Sequence, residues 1–168
     1  MQRRTLLKLG ALSVTVLLVA GGAAVLLRPG LQQGRLTPEA QAVFSSVAGA
    51  ILDGTLPVAP GERARALAGL LQRIDDMVQA FPPHVQAELS QLLGLLASSV
   101  GRRALAGLST DWAGASVAQV QQALQTMRVS RLALRQQSYQ ALHDMVGAAY
   151  FSDAATWAAL GYPGPLLI

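Results

Sequence analysis

The sequence of 168 residues contains no cysteine and only one lysine, Lys8. The first absence excludes disulfide bonds, cysteine nucleophiles, thiolate zinc sites and iron–sulfur clusters. The second leaves the chain beyond its N-terminal segment without a lysine for Schiff-base chemistry. Histidine is also scarce, with only His84 and His143, and no helical turn offers three ligands that could converge on a metal. We therefore expect both histidines to be polar surface residues.

Patterns that present catalytic groups are missing as well. The chain has no Gly-x-Ser-x-Gly turn for a nucleophilic serine, no Gly-x-Gly-x-x-Gly loop and no Walker motif. Asp75 and Asp76 are adjacent, and neighbouring residues point to different faces of a helix, so they do not form an acid–base pair. The sequence predicts a protein that is not an enzyme and holds no cofactor or metal of its own.

Charged residues are few, at 13%, yet the formal net charge is +4. The excess lies near the N-terminus, at Arg3, Arg4, Lys8, Arg28 and Arg35. From Leu36 onward, eight arginines face nine acidic residues. Because the basicity belongs to the N-terminal segment, we expect no nucleic-acid site on the folded domain.

An uncharged run of 19 residues extends from Leu9 to Leu27. As a helix it would measure about 28 Å, close to the hydrocarbon thickness of a bilayer. It predicts a membrane-targeting segment over residues 1–28, because a soluble core helix would have a polar face. Small residues at 20–24 could admit a signal peptidase, whereas the length of the run favours an uncleaved anchor.

The basic head resembles a twin-arginine export signal. Two adjacent arginines are followed at the proper offsets by an apolar pair and a lysine, and these residues are Arg3, Arg4, Leu6, Leu7 and Lys8. An ordinary membrane signal with a basic head is the alternative. What the resemblance implies is export of a folded protein through the twin-arginine translocase. Since the chain shows no cofactor motif, an attached partner explains this route better than an inserted cofactor.

Beyond a short polar linker at 29–36, apolar residues recur at helical spacing. The spacing predicts helices over about 38–53, 60–80, 116–127 and 130–150, a further helix after Pro82-Pro83 whose apolar pattern runs from Val85 to Leu96, and a looser connection at 98–114. No run alternates with period two for long enough to predict a strand. We expect an all-α fold in which a signal or anchor helix precedes a small bundle of four or five helices, at 37–160, and an extended C-terminal strap.

The strap is "GYPGPLLI", residues 161–168, and its glycines and prolines cannot continue a helix. Tyr162 is followed by the rigid Pro163, so ordering it on a partner would cost little entropy. We predict that the aromatic residues near this end and the strap form a partner interface; they are Tyr150, Phe151, Trp157, Tyr162, Pro163, Gly164 and Pro165. For Trp157 alone, a place in the domain's own core is an equally good interpretation.

Both ends of the helical domain resemble the gluconate 2-dehydrogenase subunit 3 family. The opening "RLTPEAQAVFSSVAGAILDGTLP", residues 35–57, is similar to the family's Leu-Thr-Pro start and apolar helix. The closing "YFSDAATWAALGYPGP", residues 150–165, is similar to its tryptophan helix and Gly-Tyr-Pro-Gly-Pro strap. With the N-terminal head, these segments cover about a third of the chain, and the middle is alike only in being helical.

The resemblance implies a small subunit that accompanies a large flavin dehydrogenase of the glucose–methanol–choline type, often with a cytochrome c subunit. FAD would belong to the large subunit, which would cross the inner membrane attached to this chain and work on the periplasmic side. The alternative is a self-contained, membrane-anchored periplasmic helical module with a structural or ligand-binding role.

Overall fold

The computed structural model describes residues 28–157, together with Gly161, Tyr162 and Gly164. Six helices account for most of the described residues, and the expected all-α class is confirmed for them. The predicted anchor helix lies outside the described residues. In chain order the helices are α1 (Pro38–Ile51), α2 (Pro60–Gln79), α3 (Pro83–Ala97), α4 (Ser99–Ala106), α5 (Val117–Arg128) and α6 (Ala133–Phe151), and a 3-10 turn, Ala154–Thr156, follows.

Helix starts follow the capping signals in the sequence. The Thr37 hydroxyl accepts a hydrogen bond from the Ala40 amide at 3.3 Å, and Pro38 occupies the first turn of α1, where its missing N–H costs nothing. At α5, Ser116 and Gln119 form a reciprocal capping box, with bonds of 3.3 Å and 2.8 Å. These local bonds fix where α1 and α5 begin.

Helix α1 is the centre of the domain. It packs against α2, α3, α5 and α6, and Val43, Phe44 and Val47 are fully buried among them. Each partner helix contributes one apolar stripe, as the sequence spacing predicts; Leu70, Ile74 and Val78 are the buried stripe of α2. Small residues on α1, such as Ala40 and Ala48, let the neighbouring helices approach closely.

A short antiparallel hairpin precedes α1, although the sequence predicts no strand there. Strands β1 (Leu31–Gln32) and β2 (Arg35–Leu36) pair across a turn in which Gln33 and Gly34 both have positive φ, 51° and 74°. Two positive φ values in succession are typical of a two-residue hairpin turn. Strands of two residues are too short for an alternating pattern to reveal. Leu31 and Leu36 are buried, so these linker-like residues belong to the core.

Helix α4 corrects the loose connection expected at 98–114. The Ser98 hydroxyl caps it by accepting from the Gly101 amide at 3.0 Å, and Gly107, with φ of 68°, ends it in the left-handed conformation. Leu105 and Ala106 point into the core. The helix is only eight residues long, so it repeats its apolar spacing too few times to stand out in the sequence.

Candidate partner-binding surface

The last turn of α6 carries two adjacent aromatic residues with different surroundings. Tyr150 is buried, with 7% of its surface exposed, whereas Phe151 is 49% exposed. Their rings meet edge to face, with centroids 5.3 Å apart. Tyr150 therefore ties the end of the helix to the core, and Phe151 presents its ring to the solvent.

Beyond α6 the chain turns back, and Trp157 organises the segment that follows. The Trp157 indole N–H donates to the Phe151 carbonyl at 2.8 Å. The amide of Tyr162 donates to the Trp157 carbonyl at 3.1 Å, and the two rings meet edge to face with centroids 5.5 Å apart. Gly164, with φ of 96°, lies against the six-membered ring of Trp157. We call Phe151, Trp157 and Tyr162 the aromatic cluster.

Polar contacts connect the base of this cluster to the bundle. Arg73 on α2 donates to the Ala149 carbonyl at 2.7 Å and forms an ion pair with Asp153 at 3.2 Å. The Thr156 hydroxyl donates to the carbonyls of Asp153 and Tyr150, at 2.8 and 3.1 Å. Helix α2 therefore supports the turn from which Trp157 projects.

The predicted interface residues are thus not equivalent. The structure brings Phe151, Trp157, Tyr162 and Gly164 together at one end of α6, with half of the Tyr162 surface exposed. Tyr150 is mostly a core residue. Pro163 and Pro165 lie outside the described residues, as do all the predicted export residues: Arg3, Arg4, Leu6, Leu7 and Lys8.

The domain begins at a cleft of about 320 Å³ that Arg28 and Pro29 line together with the last turn of α3. The chain crosses α3 closely here, since a Cβ on Gly30 would stand 2.4 Å from that of Leu93. The Gly30 amide donates to the Ser90 carbonyl at 3.0 Å, and the Leu31 amide donates to the Ser90 hydroxyl at 3.1 Å. Arg28 and Glu39 form an exposed ion pair of 3.7 Å across the cleft, which contributes little stability.

The candidate catalytic and metal-binding side chains lie apart from one another. His84 and His143 are both exposed, as expected, and the His143 ring stacks on Tyr139 beside a second cleft of about 260 Å³. Asp75 is buried and accepts the Leu36 amide at 2.7 Å, while Asp76 is exposed, so the two carboxylates do face different ways. Within the described part of the chain, no three histidine or acidic residues cluster as metal ligands would.

None of the helices that the structure describes is both long enough and apolar enough to span a bilayer. The apolar run from Leu9 to Leu27, which carries the membrane prediction, lies outside the described residues.

Three exposed apolar residues, Val100, Val129 and Leu132, were not singled out by the sequence reasoning. Exposure of a single apolar side chain is ordinary. The sequence feature that could have drawn attention to them is local charge. The segment around them is strongly basic, although the domain as a whole is nearly neutral.

No protein-family model, curated protein or solved structure matches this chain. The likeness to the gluconate 2-dehydrogenase subunit 3 family therefore has only the two terminal motifs and the N-terminal head as its basis.

Proposed function

We propose that this chain is a non-catalytic small subunit that escorts, stabilises and anchors an FAD-dependent dehydrogenase of the glucose–methanol–choline type. The complex would leave the cytoplasm by the twin-arginine pathway and work at the periplasmic face of the inner membrane. FAD would reside in the large subunit, and a cytochrome c subunit could complete the assembly. The N-terminal segment would supply both the export signal and the membrane anchor.

The aromatic cluster is the observation that carries the proposal. Phe151 and Tyr162 are each about half exposed, at 49% and 50%, and Trp157 lies between them in direct contact with Tyr162. Large, rigid aromatic side chains bury much surface at little entropic cost, which is why they dominate the energetics of many protein interfaces. A cluster held by defined contacts and still open to solvent suits the docking of a large partner.

The alternative remains a self-contained, membrane-anchored periplasmic module with a structural or ligand-binding role. It is favoured by the completeness of the core, because α1 is enclosed on all sides by helices of this same chain. A subunit that depended on its partner for folding would leave a broader apolar surface uncovered. The two proposals therefore differ in whether a partner is bound, rather than in whether the domain folds.

One experiment in the native host separates them. The full chain with a C-terminal affinity tag is purified in mild detergent, and flavin absorbance and partner identity are measured in periplasmic-membrane and cytoplasmic fractions. We expect a flavoprotein to co-purify with the wild type from the membrane fraction. With Arg3→Lys and Arg4→Lys combined, we expect both proteins to remain in the cytoplasm, since the adjacent arginines define the signal.

The Tyr162→Ala variant tests the docking surface in the same host. We expect this chain to be exported with its usual yield while the flavoprotein is left behind, because the partner would lose an aromatic contact worth about 2 kcal/mol. Val58→Ala is the matched control, since Val58 is 96% exposed and lies between α1 and α2. If no flavoprotein accompanies the wild-type chain, the small-subunit proposal is wrong.

A further inference from the structure

Charge is distributed unevenly within the helical domain. Residues 36–88 carry three arginines against six acidic residues, and residues 144–157 carry two acidic residues and no arginine. Residues 89–143 carry five arginines against one acidic residue, Asp111, a net charge of +4. The near-neutral total thus conceals a basic stretch that covers α4, α5 and the first half of α6.

Exposed apolar side chains fall in the same stretch. Val100 on α4 is 78% exposed, Val129 at the end of α5 is 64% exposed, and Leu132 at the start of α6 is 61% exposed. In the part of the chain that the structure describes, these are three of the six large apolar residues with the greatest exposure. Apolar and cationic side chains together are typical of surfaces that lie on a membrane.

A contact between the helices brings the second half of α4 to the first turn of α6. The Arg135 guanidinium donates two hydrogen bonds to the Ala104 carbonyl, at 3.0 and 2.6 Å. Val100 lies one turn before Ala104, and Leu132 lies one turn before Arg135. Helix α4 also packs against α5, which ends at Arg128. We call the exposed residues of this region the basic face: Val100, Arg103, Arg128, Val129, Arg131 and Leu132.

Three charged residues of the stretch are not part of this face, and one of them is Arg135, which is half-buried and bonds the Ala104 carbonyl. Arg102 is buried at 8% exposure, and its guanidinium reaches the Ser109 carbonyl at 3.5 Å. Asp111 binds the Gly114 amide in the loop that follows α4. The cations that remain on the basic face are therefore free of acidic partners among the described residues, whose ion pairs involve other residues.

The entry point of the chain lies at the same corner. Arg28 and Pro29 contact the cleft lined by Ala97 and Ser98, at the junction of α3 and α4, and Val100 follows two residues later. The backbone bonds of Gly30 and Leu31 to Ser90 fix this crossing. A membrane anchor that ends at Leu27 would therefore hold the junction of α3 and α4 close to the bilayer.

We propose that the basic face rests on the anionic headgroups of the bilayer in which the N-terminal segment is anchored. The arginines bind lipid phosphates, which their planar guanidinium groups match, and the apolar side chains enter the boundary between headgroups and acyl chains. The proposal rests on the anchoring part of the proposed function. It leaves the aromatic cluster, at the other end of α6, available to a partner protein.

The absence of cysteine makes a site-specific test possible in the full chain. Leu132→Cys is labelled with an environment-sensitive fluorophore, and Val58→Cys, in an acidic part of the sequence, is the matched control. Each protein is reconstituted into vesicles of phosphatidylcholine alone or of phosphatidylcholine and phosphatidylglycerol in equal parts. Contact with lipid is measured as a blue shift of the fluorescence emission and as quenching of that fluorescence by spin-labelled acyl chains.

We expect quenching at position 132 in phosphatidylglycerol vesicles, little in phosphatidylcholine alone, and none at position 58 in either. Arg128→Gln and Arg131→Gln should each lower the ratio of docked to undocked domains about fivefold, because one basic residue near an anionic surface contributes that much. Arg65→Gln on α2, where the guanidinium bonds the Gly61 carbonyl, should change nothing. High salt should lower the fraction of docked domains as the arginine substitutions do, because it screens the attraction between arginine and anionic lipid.

Equal signals at positions 132 and 58 in anionic vesicles overturn the proposal. A label at position 132 that is shielded only after the partner dehydrogenase is added also overturns it, since the face then binds an acidic protein surface. Resistance to carbonate extraction shows separately whether the N-terminal segment anchors the chain in the membrane. Co-purification of a flavoprotein shows whether the partner subunit is bound. Failure of the basic face can therefore be distinguished from failure of the proposed function.

Discussion

The segments that flank the helical bundle resemble each other in sequence but are held very differently. "RPGLQQGRL", residues 28–36, and "GYPGP", residues 161–165, both contain glycine and proline and both interrupt helical spacing. The first is fastened to α3 through the Gly30 and Leu31 amides, which both bond Ser90, and it buries Leu31 and Leu36. Of the second, the structure describes Gly161, Tyr162 and Gly164, and there the exposed ring of Tyr162 meets the half-buried ring of Trp157.

The difference shows that composition identifies a non-helical segment without revealing how deeply it packs. The depth of packing depends on whether groups elsewhere in the chain complete the hydrogen bonds of the segment. Ser90 and Asp75 do so for the N-terminal hairpin, since they bind the amides of Leu31 and Leu36. At the C-terminal end, the Tyr162 amide finds its acceptor only five residues earlier in the chain, on the Trp157 carbonyl.

The strongest test of this comparison is Gly30→Ala. The added Cβ would meet Leu93 Cβ at 2.4 Å and the Ser90 carbonyl oxygen at 2.9 Å, so the hairpin would have to move away from α3. We expect a loss of about 3 kcal/mol in the free energy of unfolding, as for other overpacked sites. Urea denaturation of the full chain in detergent measures it.

Gly147→Ala on α6 is the matched control for that substitution. A Cβ at Gly147 meets nothing within 4 Å, so alanine should stabilise the helix by about 0.5–1 kcal/mol. If the two substitutions changed stability by the same amount, the close crossing at Gly30 would have no energetic role.

A somewhat smaller loss is expected from Asp75→Ala. Asp75 is buried at 7% exposure, and its carboxylate accepts the Leu36 amide at 2.7 Å, so alanine leaves that amide without its acceptor. We expect a loss of about 2 kcal/mol, in the range of hydrogen bonds to charged groups. Asp76→Ala on the exposed side controls for helix propensity and should stay within about 0.5 kcal/mol. Equal effects would mean that Asp75 does not fasten the hairpin.

Much of the bundle could be predicted from the sequence, because five of its helices repeat their apolar spacing several times. The limits of α1, α2 and α5 agree with the expectation to within a few residues. Helix α4 was missed because two turns give little periodicity, and Arg102 interrupts the apolar pattern although it is buried. Burial of an arginine depends on the loop that covers it, here through Ser109, and no local pattern encodes that contact.

The candidate surfaces were predictable to different degrees. Aromatic and glycine-proline composition pointed directly to Phe151, Trp157 and Tyr162. Tyr150 belongs to the buried stripe of α6, and its spacing of four residues from Val146 already indicated this position. Recognising the basic face requires two observations. The local excess of arginine can be counted in the sequence, but the contact between Arg135 and Ala104 is visible only in the folded chain.

Trp157→Ala should cost less stability than Gly30→Ala or Asp75→Ala, because the described contacts of its side chain, with Tyr162, Gly164 and the Phe151 carbonyl, lie near the surface. We expect a loss below about 1 kcal/mol, together with faster hydrogen exchange of the Tyr162 amide as the strap loosens. Trp112→Ala is the contrasting variant, since Trp112 is 3% exposed and its indole donates to the Leu96 carbonyl at 2.8 Å. That change should cost about 3–5 kcal/mol. A loss at Trp157 as large as that at Gly30 would make the strap a structural clasp, and the contrast between the two ends of the domain would disappear.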